Sequence, residues 1–304
     1  MGLLHKMATI HASIGFHCGS GDGPRGTTFA SYISGLKKIF PHFTAAQIFA
    51  SNPKSFYHSN WSDKTCSDVL VSCASNNVKL YIHAPYIINP CAWTGGGAEN
   101  PDGEKIRSLV VNLLTKGKAM GAYGVVIHVG KSLKLGEEEG MRRMTAFCSA
   151  VLDSVGDKGC RLLIETCAGQ GTEVARDLRT FGVFIQELVG RYGESRVGSC
   201  VDTCHVFASG YKMEGLCTLV GETIGWSNVG LIHLNDSQTA CGARVDRHEI
   251  VNHGKIGGEA LSTFCRAVHA VRPDMSYVLE TPMTEDGASR VVEMDWLHGL
   301  FNTV

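Results

Sequence analysis

The sequence predicts an α/β protein, a single-domain (β/α)8 TIM barrel spanning residues 1–304. Two observations carry that expectation. Eight short runs rich in β-branched residues recur along the chain, and longer amphipathic segments lie between them. No low-complexity run, charge block or long Pro/Gly-rich linker divides the chain. Barrels of this class reach such a length as one unit. Eight units in 304 residues fit a closed barrel better than an open doubly wound sheet, the other arrangement the rhythm allows.

In order, the first run is ATIHASIGFH at 8–17, followed by the glycine-rich loop GSGDGPRG at 19–26. AAQIFAS (45–51) and VKLYIHAP (78–85) come next, and a second glycine-rich loop, TGGGAENPDG (94–103), leads into a helix expected over 102–121. GVVIHVG (124–130) precedes a helix over 138–157, and RLLIETC (161–167) precedes one over 173–192. VGSCVDTCH (197–205), GLIHLND (230–236), a helix over 257–271 and SYVLETP (276–282) complete the series. Neither glycine-rich loop is a nucleotide cradle: residues 19–23 fail the dinucleotide fingerprint, and no Gly-Lys-Ser/Thr follows either loop.

Composition narrows the function. With 28 Lys and Arg against 29 Asp and Glu, the formal net charge is −1. A nucleic-acid partner would therefore need a local basic patch or bound metal ions to neutralise its phosphates. No apolar stretch approaches the roughly 18–20 residues needed to span a membrane. The opening MGLLHKMATIHASIG lacks a continuous apolar core before a small-residue cleavage site, so secretion is not expected. The expected location is the cytoplasm or wherever the genome is kept. The twelve cysteines are scattered through apolar segments without a CxxC pair, which predicts reduced, buried thiols rather than disulfides. Cys200 and Cys204, four apart, fall under the same expectation.

The chemistry lies where the runs meet their loops. Six of the eight end in residues able to bind metal: His83, His128, Glu165, Asp202 with His205, His233 with Asp236, and Glu280. One polar residue at a strand end is ordinarily a hydrogen-bonded cap, but six in succession at the end of a barrel that carries active sites call for a common cause. Asp202 and His205, three apart, share a face if a helical turn begins there. Asp246 and His248, two apart, share a side of an extended segment. The resulting nine, His83, His128, Glu165, Asp202, His205, His233, Asp246, His248 and Glu280, exceed one site. Their imidazole and carboxylate chemistry suits zinc, manganese or iron, and their number implies two or three ions. Such clusters serve in-line displacement at phosphorus. A metal-dependent sugar isomerase or epimerase shares the barrel but generally needs one or two ions, leaving His205, Asp246 and His248 unexplained.

The motifs resemble those of the endonuclease IV family of abasic-site endonucleases across essentially the whole chain. They are His83-Ala84-Pro85-Tyr86, Glu165 to Gly171, Val201-Asp202-Thr203-Cys204-His205, Ala208 to Tyr211, His233-Leu234-Asn235-Asp236-Ser237, Arg244 to His248 and Leu279-Glu280-Thr281-Pro282. The resemblance implies three zinc ions, replaceable by manganese or iron. The first would be held by His83, His128 and a bridging Glu165, the second by Glu165, Asp202, His233 and Glu280, the third by His205, Asp246 and His248. It implies a monomer that acts on double-stranded DNA carrying abasic sites or blocked 3′ ends. Such an enzyme cleaves 5′ to the abasic site to leave a 3′-hydroxyl and a 5′ deoxyribose phosphate, with Glu280 helping to activate the attacking water. Tyr86, Arg247 and Lys54, the last standing where an arginine is usual, would contact DNA. The chain departs from the family pattern at Val129, at Thr166-Cys167 and over Glu249 to Gly254. Gly15-Phe16-His17 matches it only loosely, and His17 reads either as a partner behind the ligands or as an ordinary buried histidine.

Overall fold

A computed structural model describes residues 12–20, 28–50, 53, 54, 56, 61–95 and 101–302. The start of the first run, most of the first glycine-rich loop and residues 96–100 of the second lie outside the described residues. The strands are β1 (Ser13–Ser20), β2 (Ala45–Phe49), β3 (Lys79–His83), β4 (Gly124–His128), β5 (Leu162–Glu165), β6 (Val197–Asp202), β7 (Val229–His233), the two-residue β8 (Asp236–Ser237) and β9 (His248–Glu249), and β10 (Ser276–Leu279). The helices are α1 (Phe29–Ile39), α2 (Asp63–Ser75), α3 (Pro101–Ala119), α4 (Glu137–Val155), α5 (Leu178–Tyr192), α6 (Thr203–Ala208), α7 (Leu216–Thr223), α8 (Gly258–Val271) and α9 (Ala288–Asn302).

Eight parallel strands close in the order β1-β10-β7-β6-β5-β4-β3-β2, the expected barrel. β8 and β9 form a small antiparallel ladder in the loop after β7. Among the described residues no helix is long and apolar enough to cross a membrane. The larger apolar core lies between barrel and helices, with Phe43, Phe147, Phe181 and Phe264 fully buried. A smaller cluster fills the barrel: Ala45, Tyr81, Val126, Leu163, Cys200, Leu231 and Val278, one from each of seven strands. β1 contributes Gly15 at that level, because a Cβ there would lie 1.7 Å from the Ala45 carbonyl oxygen. The twelve cysteines are unpaired, eight of them buried and four partly exposed.

Two of the element boundaries that differ from the sequence expectation have a clear local reason. The amphipathic pattern over 173–192 becomes helical only at Leu178, where Asp177 accepts hydrogen bonds from the Arg179 and Thr180 amides as an N-cap. Upstream, Glu173 bridges Lys131 in extended pairing and Ala175 has φ +55°, so the backbone cannot continue the helix. The run 197–205 ends as a strand at Asp202, whose carboxylate caps α6 by accepting from the His205 amide at 2.8 Å.

Candidate metal centre

Strand side chains alternate faces, so two residues beyond each inward-pointing core residue lies the next inward position. From Gly15, Ala45, Tyr81, Val126, Leu163, Cys200, Leu231 and Val278 this step gives His17, Gln47, His83, His128, Glu165, Asp202, His233 and Glu280. All eight are polar, and they form a ring above the apolar barrel filling. Six are the strand-end residues expected from sequence. His17 and Gln47 complete the ring; the same count of two along their runs finds them.

Three interlocked groups arise at this level. Ligand atoms of His83, His128 and Glu165 lie within 4.8 Å of one another, as do those of Glu165, Asp202, His233 and Glu280. Asp202, His205 and His248 form a further set. Asp246 joins it through 3.3 Å contacts of its two oxygens with His205 Nε2 and His248 Nε2. All nine expected residues therefore converge. Cys204, read from sequence as packing, also has its Sγ within 4.8 Å of ligand atoms of Asp246 and His248.

The spacing fits divalent cations. Two ligands of one tetrahedral zinc ion, each about 2.0–2.1 Å from it, stand about 3.3 Å apart, whereas a charge-assisted hydrogen bond closes to about 2.7–2.9 Å. Glu165 Oε2 is 3.3 Å from His83 Nε2 and 3.5 Å from His128 Nε2, and Glu280 Oε2 is 3.2 Å from His233 Nδ1, whereas the same nitrogen closes to 2.9 Å on Glu165 Oε1, a hydrogen-bond distance. For His83, His205 and His248 the opposite ring nitrogen is already engaged. His83 Nδ1 lies 2.7 Å from the Ala84 carbonyl, His205 Nδ1 2.8 Å from that of Thr166, and His248 Nδ1 3.3 Å from that of Glu280. Donation to a carbonyl from one nitrogen leaves a lone pair on the other, the arrangement that orients metal-binding imidazoles. His248 Nε2 is buried and has no hydrogen-bond partner among the described residues.

The electrostatics point the same way. Four carboxylates meet in a region where Glu165 and Asp202 have fully buried side chains, an arrangement that requires compensating positive charge. Burial pushes Asp202 up and drives His128 down to about 4, so His128 is neutral at pH 7. Burial resists ionisation of Glu165 and Glu280, but His128 and His233 hold Glu165, and His233 and His17 hold Glu280, well below the usual carboxyl range. Burial equally resists protonation of His205 and His233, yet Asp202 and Asp246 raise His205, and Cys200, Glu280 and Glu165 raise His233, well above the ordinary histidine value. The cluster thus gathers protons in the absence of other cations.

Asp236 does not share this role. Its carboxylate accepts from the amides of Ser237, Gly254, Ile256 and Gly257 at 2.8–3.3 Å, tying down the loop that carries Asp246 and His248. A Cβ at Gly254 would come within 2.4 Å of it, so the altered segment 249–254 keeps a glycine where the approach demands one. Val251 in that segment is buried, and its amide donates to Glu293 of α9. Beside the departure at Val129, a Cβ on Gly130 would lie 2.3 Å from Cys91 Sγ.

Of the residues expected to touch DNA, Tyr86 is exposed, with its ring 5.4 Å from His83, 5.7 Å from His128 and 5.2 Å from Phe49. It stands beside the ligands as an open wall. Phe49, unmarked in the sequence, also lies 4.5 Å from the His17 ring. Lys54 and Arg247 are both exposed. The Arg247 guanidinium folds back to donate to the Asp246 carbonyl at 2.6 Å.

Barrel and cluster together define a xylose isomerase-like TIM barrel, and the family model of that description matches residues 10–298. Within that class the chain belongs to the endonuclease IV family of nucleases. It is 32% identical over 251 residues to the probable endonuclease 4 of Streptomyces coelicolor, covering 80% of this chain and 82% of that one. The crystal structure of endonuclease IV from Thermus thermophilus superposes with a TM-score of 0.76 at 25% identity, over 94% of this chain and 99% of that one. A D-tagatose 3-epimerase-like protein superposes at 0.67 with 14% identity, over 95% and 98% of the two chains, and shares the barrel alone.

Proposed function

We propose that this chain is a DNA-repair endonuclease that hydrolyses the phosphodiester 5′ to an abasic site, leaving a 3′-hydroxyl and a 5′ deoxyribose phosphate, and that trims blocked 3′ ends. The observation that carries this reading is the three-part ligand set, with His205, Asp246 and His248 standing beyond what the inner ring provides. Sequence similarity to proteins named endonuclease 4 supports it.

The donor chemistry fits three zinc ions, with manganese or iron as replacements: one on His83, His128 and Glu165, one on Glu165, Asp202, His233 and Glu280, one on His205, Asp246 and His248. When bound, such ions lower the pKa of water towards about 7 and neutralise charge building on the phosphate oxygens. The chain's own groups do the rest. Glu165, through its two oxygens, joins the first two ligand sets and fixes their separation. Glu280 faces His233 with Oε2 and is tied through Oε1, which places a carboxylate to take the proton of the attacking water. Tyr86 offers a ring face for the gap left by a missing base, where extrusion costs little because pairing and stacking are already lost. Lys54 and Arg247 would contact phosphates.

The decisive experiment incubates the metal-replete protein with duplex DNA bearing one abasic analogue. A single nick with a 3′-hydroxyl is expected. No nick, together with turnover of a ketose, would replace this reading with a sugar epimerase. Elemental analysis should find three transition-metal equivalents; a reproducible single equivalent would remove the trinuclear assignment.

A further inference from the structure

Gln47 is fully buried on β2, in the ring of strand ends, and it uses every polar atom of its amide on that ring. Its Oε1 lies 2.8 Å from His233 Nε2, and its Nε2 lies 2.6 Å from Glu280 Oε1 and 3.0 Å from His17 Nδ1. The amide cannot be reversed. Turning it would set its carbonyl oxygen against the Glu280 carboxylate with no proton between them. The network therefore has one sense. His233 donates from Nε2 to Gln47, which leaves His233 Nδ1 facing Glu165 and Glu280, at 2.9 and 3.2 Å. Gln47 in turn donates to Glu280 Oε1, which leaves Oε2 as the oxygen directed at the cluster.

We infer that Gln47 is a positioning residue of the inner site, fixing at once which nitrogen of His233 and which oxygen of Glu280 face the metal position. His17 is the third anchor of the same amide. This settles its two sequence readings in favour of a partner behind the ligands. The inference rests on the proposed hydrolytic reading only for its activity readout, since the metal readout stands without it.

The test compares wild-type protein with Gln47→Met, which keeps the length and loses every hydrogen bond, and Gln47→Glu, which keeps an acceptor for His233 but can reach Glu280 only by holding a proton between the two carboxyls, lowering its basicity. Zinc-loaded proteins are challenged with a chromophoric chelator, and nicking of an abasic-analogue duplex is followed in parallel. Gln47→Met should release one equivalent roughly 10- to 100-fold more readily than wild type, the usual effect of removing such a partner, with the other two unchanged. Its kcat should fall by a similar factor while KM stays within about twofold, because the loss is confined to the chemical step. Gln47→Glu should hold the metal better than Gln47→Met yet recover no kcat. Wild-type metal retention and kcat in Gln47→Met would overturn the assignment. So would equal loss of all three equivalents with a lowered melting temperature in both variants, the signature of packing alone. Should Gln47→Met fail to fold, the near-isosteric Gln47→Glu decides by the same two readouts. If wild type itself fails to nick, the functional reading fails while chelator release still judges Gln47.

Discussion

The centre is built in two ways. Its inner part stands on strand ends: Glu165, Asp202 and His233 come from β5, β6 and β7, and their side chains are fully buried. Its outer part stands on turns: His205 on the short helix α6, Asp246 and His248 in the loop around β9, where 40% of the Asp246 side chain remains exposed. In the inner part the barrel's own hydrogen bonding sets ligand positions, as the pairings of His128 with Glu165 and Asp202 with His233 show. In the outer part a separate device is needed. Asp236 supplies it by gathering the amides of residues 254, 256 and 257, and Glu293 supplies it through the Val251 amide. Precision is inherited from the sheet in one half and constructed loop by loop in the other.

The largest expected effect separates chemistry from assembly within the inner part. Glu280→Gln removes the proton-accepting carboxylate but preserves shape, so nicking should fall by roughly 10²–10⁴-fold while binding to the damaged duplex is retained. A gel-shift and a single-turnover assay measure the two. Loss of the folded circular-dichroism spectrum instead would make Glu280 structural.

Next comes the outer part. Asp236→Ala strands at least three loop amides, each worth about 1–3 kcal/mol if left without a partner. The loop should loosen, the third metal equivalent should be lost, and activity should fall roughly 10- to 100-fold, as expected when a partner behind metal ligands is removed. Elemental analysis should still find the two inner equivalents. Loss of all three would show that the two halves are not independent.

How much of this was legible in the sequence follows the same division. The inner candidate ligands could be read because a strand places every second residue on one face, so a polar residue ending an apolar run declares itself: His83, His128 and Glu165 did so. Gln47 and His17 obey the same rule. Gln47 escaped because it sits inside AAQIFAS rather than at its end, and a lone amide does not suggest metal chemistry; His17, at the end of its run, stood out but was left between two readings. Asp236, metal-capable at the end of its run, stood outside the nine candidate ligands, yet its actual role was not legible. Its type suits a metal, but only the folded loop reveals that backbone amides consume it. The start of α5 at Leu178 was hidden because amphipathicity continues upstream through residues that the Glu173 bridge holds extended.

Acid–base linkage offers a finer comparison of ligands. Burial leaves His128 at about 4, so it carries no proton to displace near neutrality. His205, raised well above its ordinary value by Asp202 and Asp246, and His233, raised by Cys200, Glu280 and Glu165, hold protons in the metal-free protein. Metal binding must expel those protons, so apparent affinity should rise with pH through neutrality by about tenfold per unit for each proton displaced. Calorimetry in buffers of different ionisation enthalpy counts them, and no net release at pH 7 would contradict the assignment.

The smallest effect belongs to the rim. Lys54 is exposed, and the chain's net charge of −1 supplies no general attraction to DNA. On the proposed function, phosphate contacts then fall to individual cations such as Lys54. Lys54→Ala should weaken binding uniformly across sequences and reduce the slope of log affinity against log salt by about 1, the value for one phosphate contact. Metal content and kcat at saturating DNA should stay unchanged, because the lysine belongs to none of the ligand sets. An unaltered salt slope would remove Lys54 from the interface and leave the local positive charge to Arg247 and the bound cations.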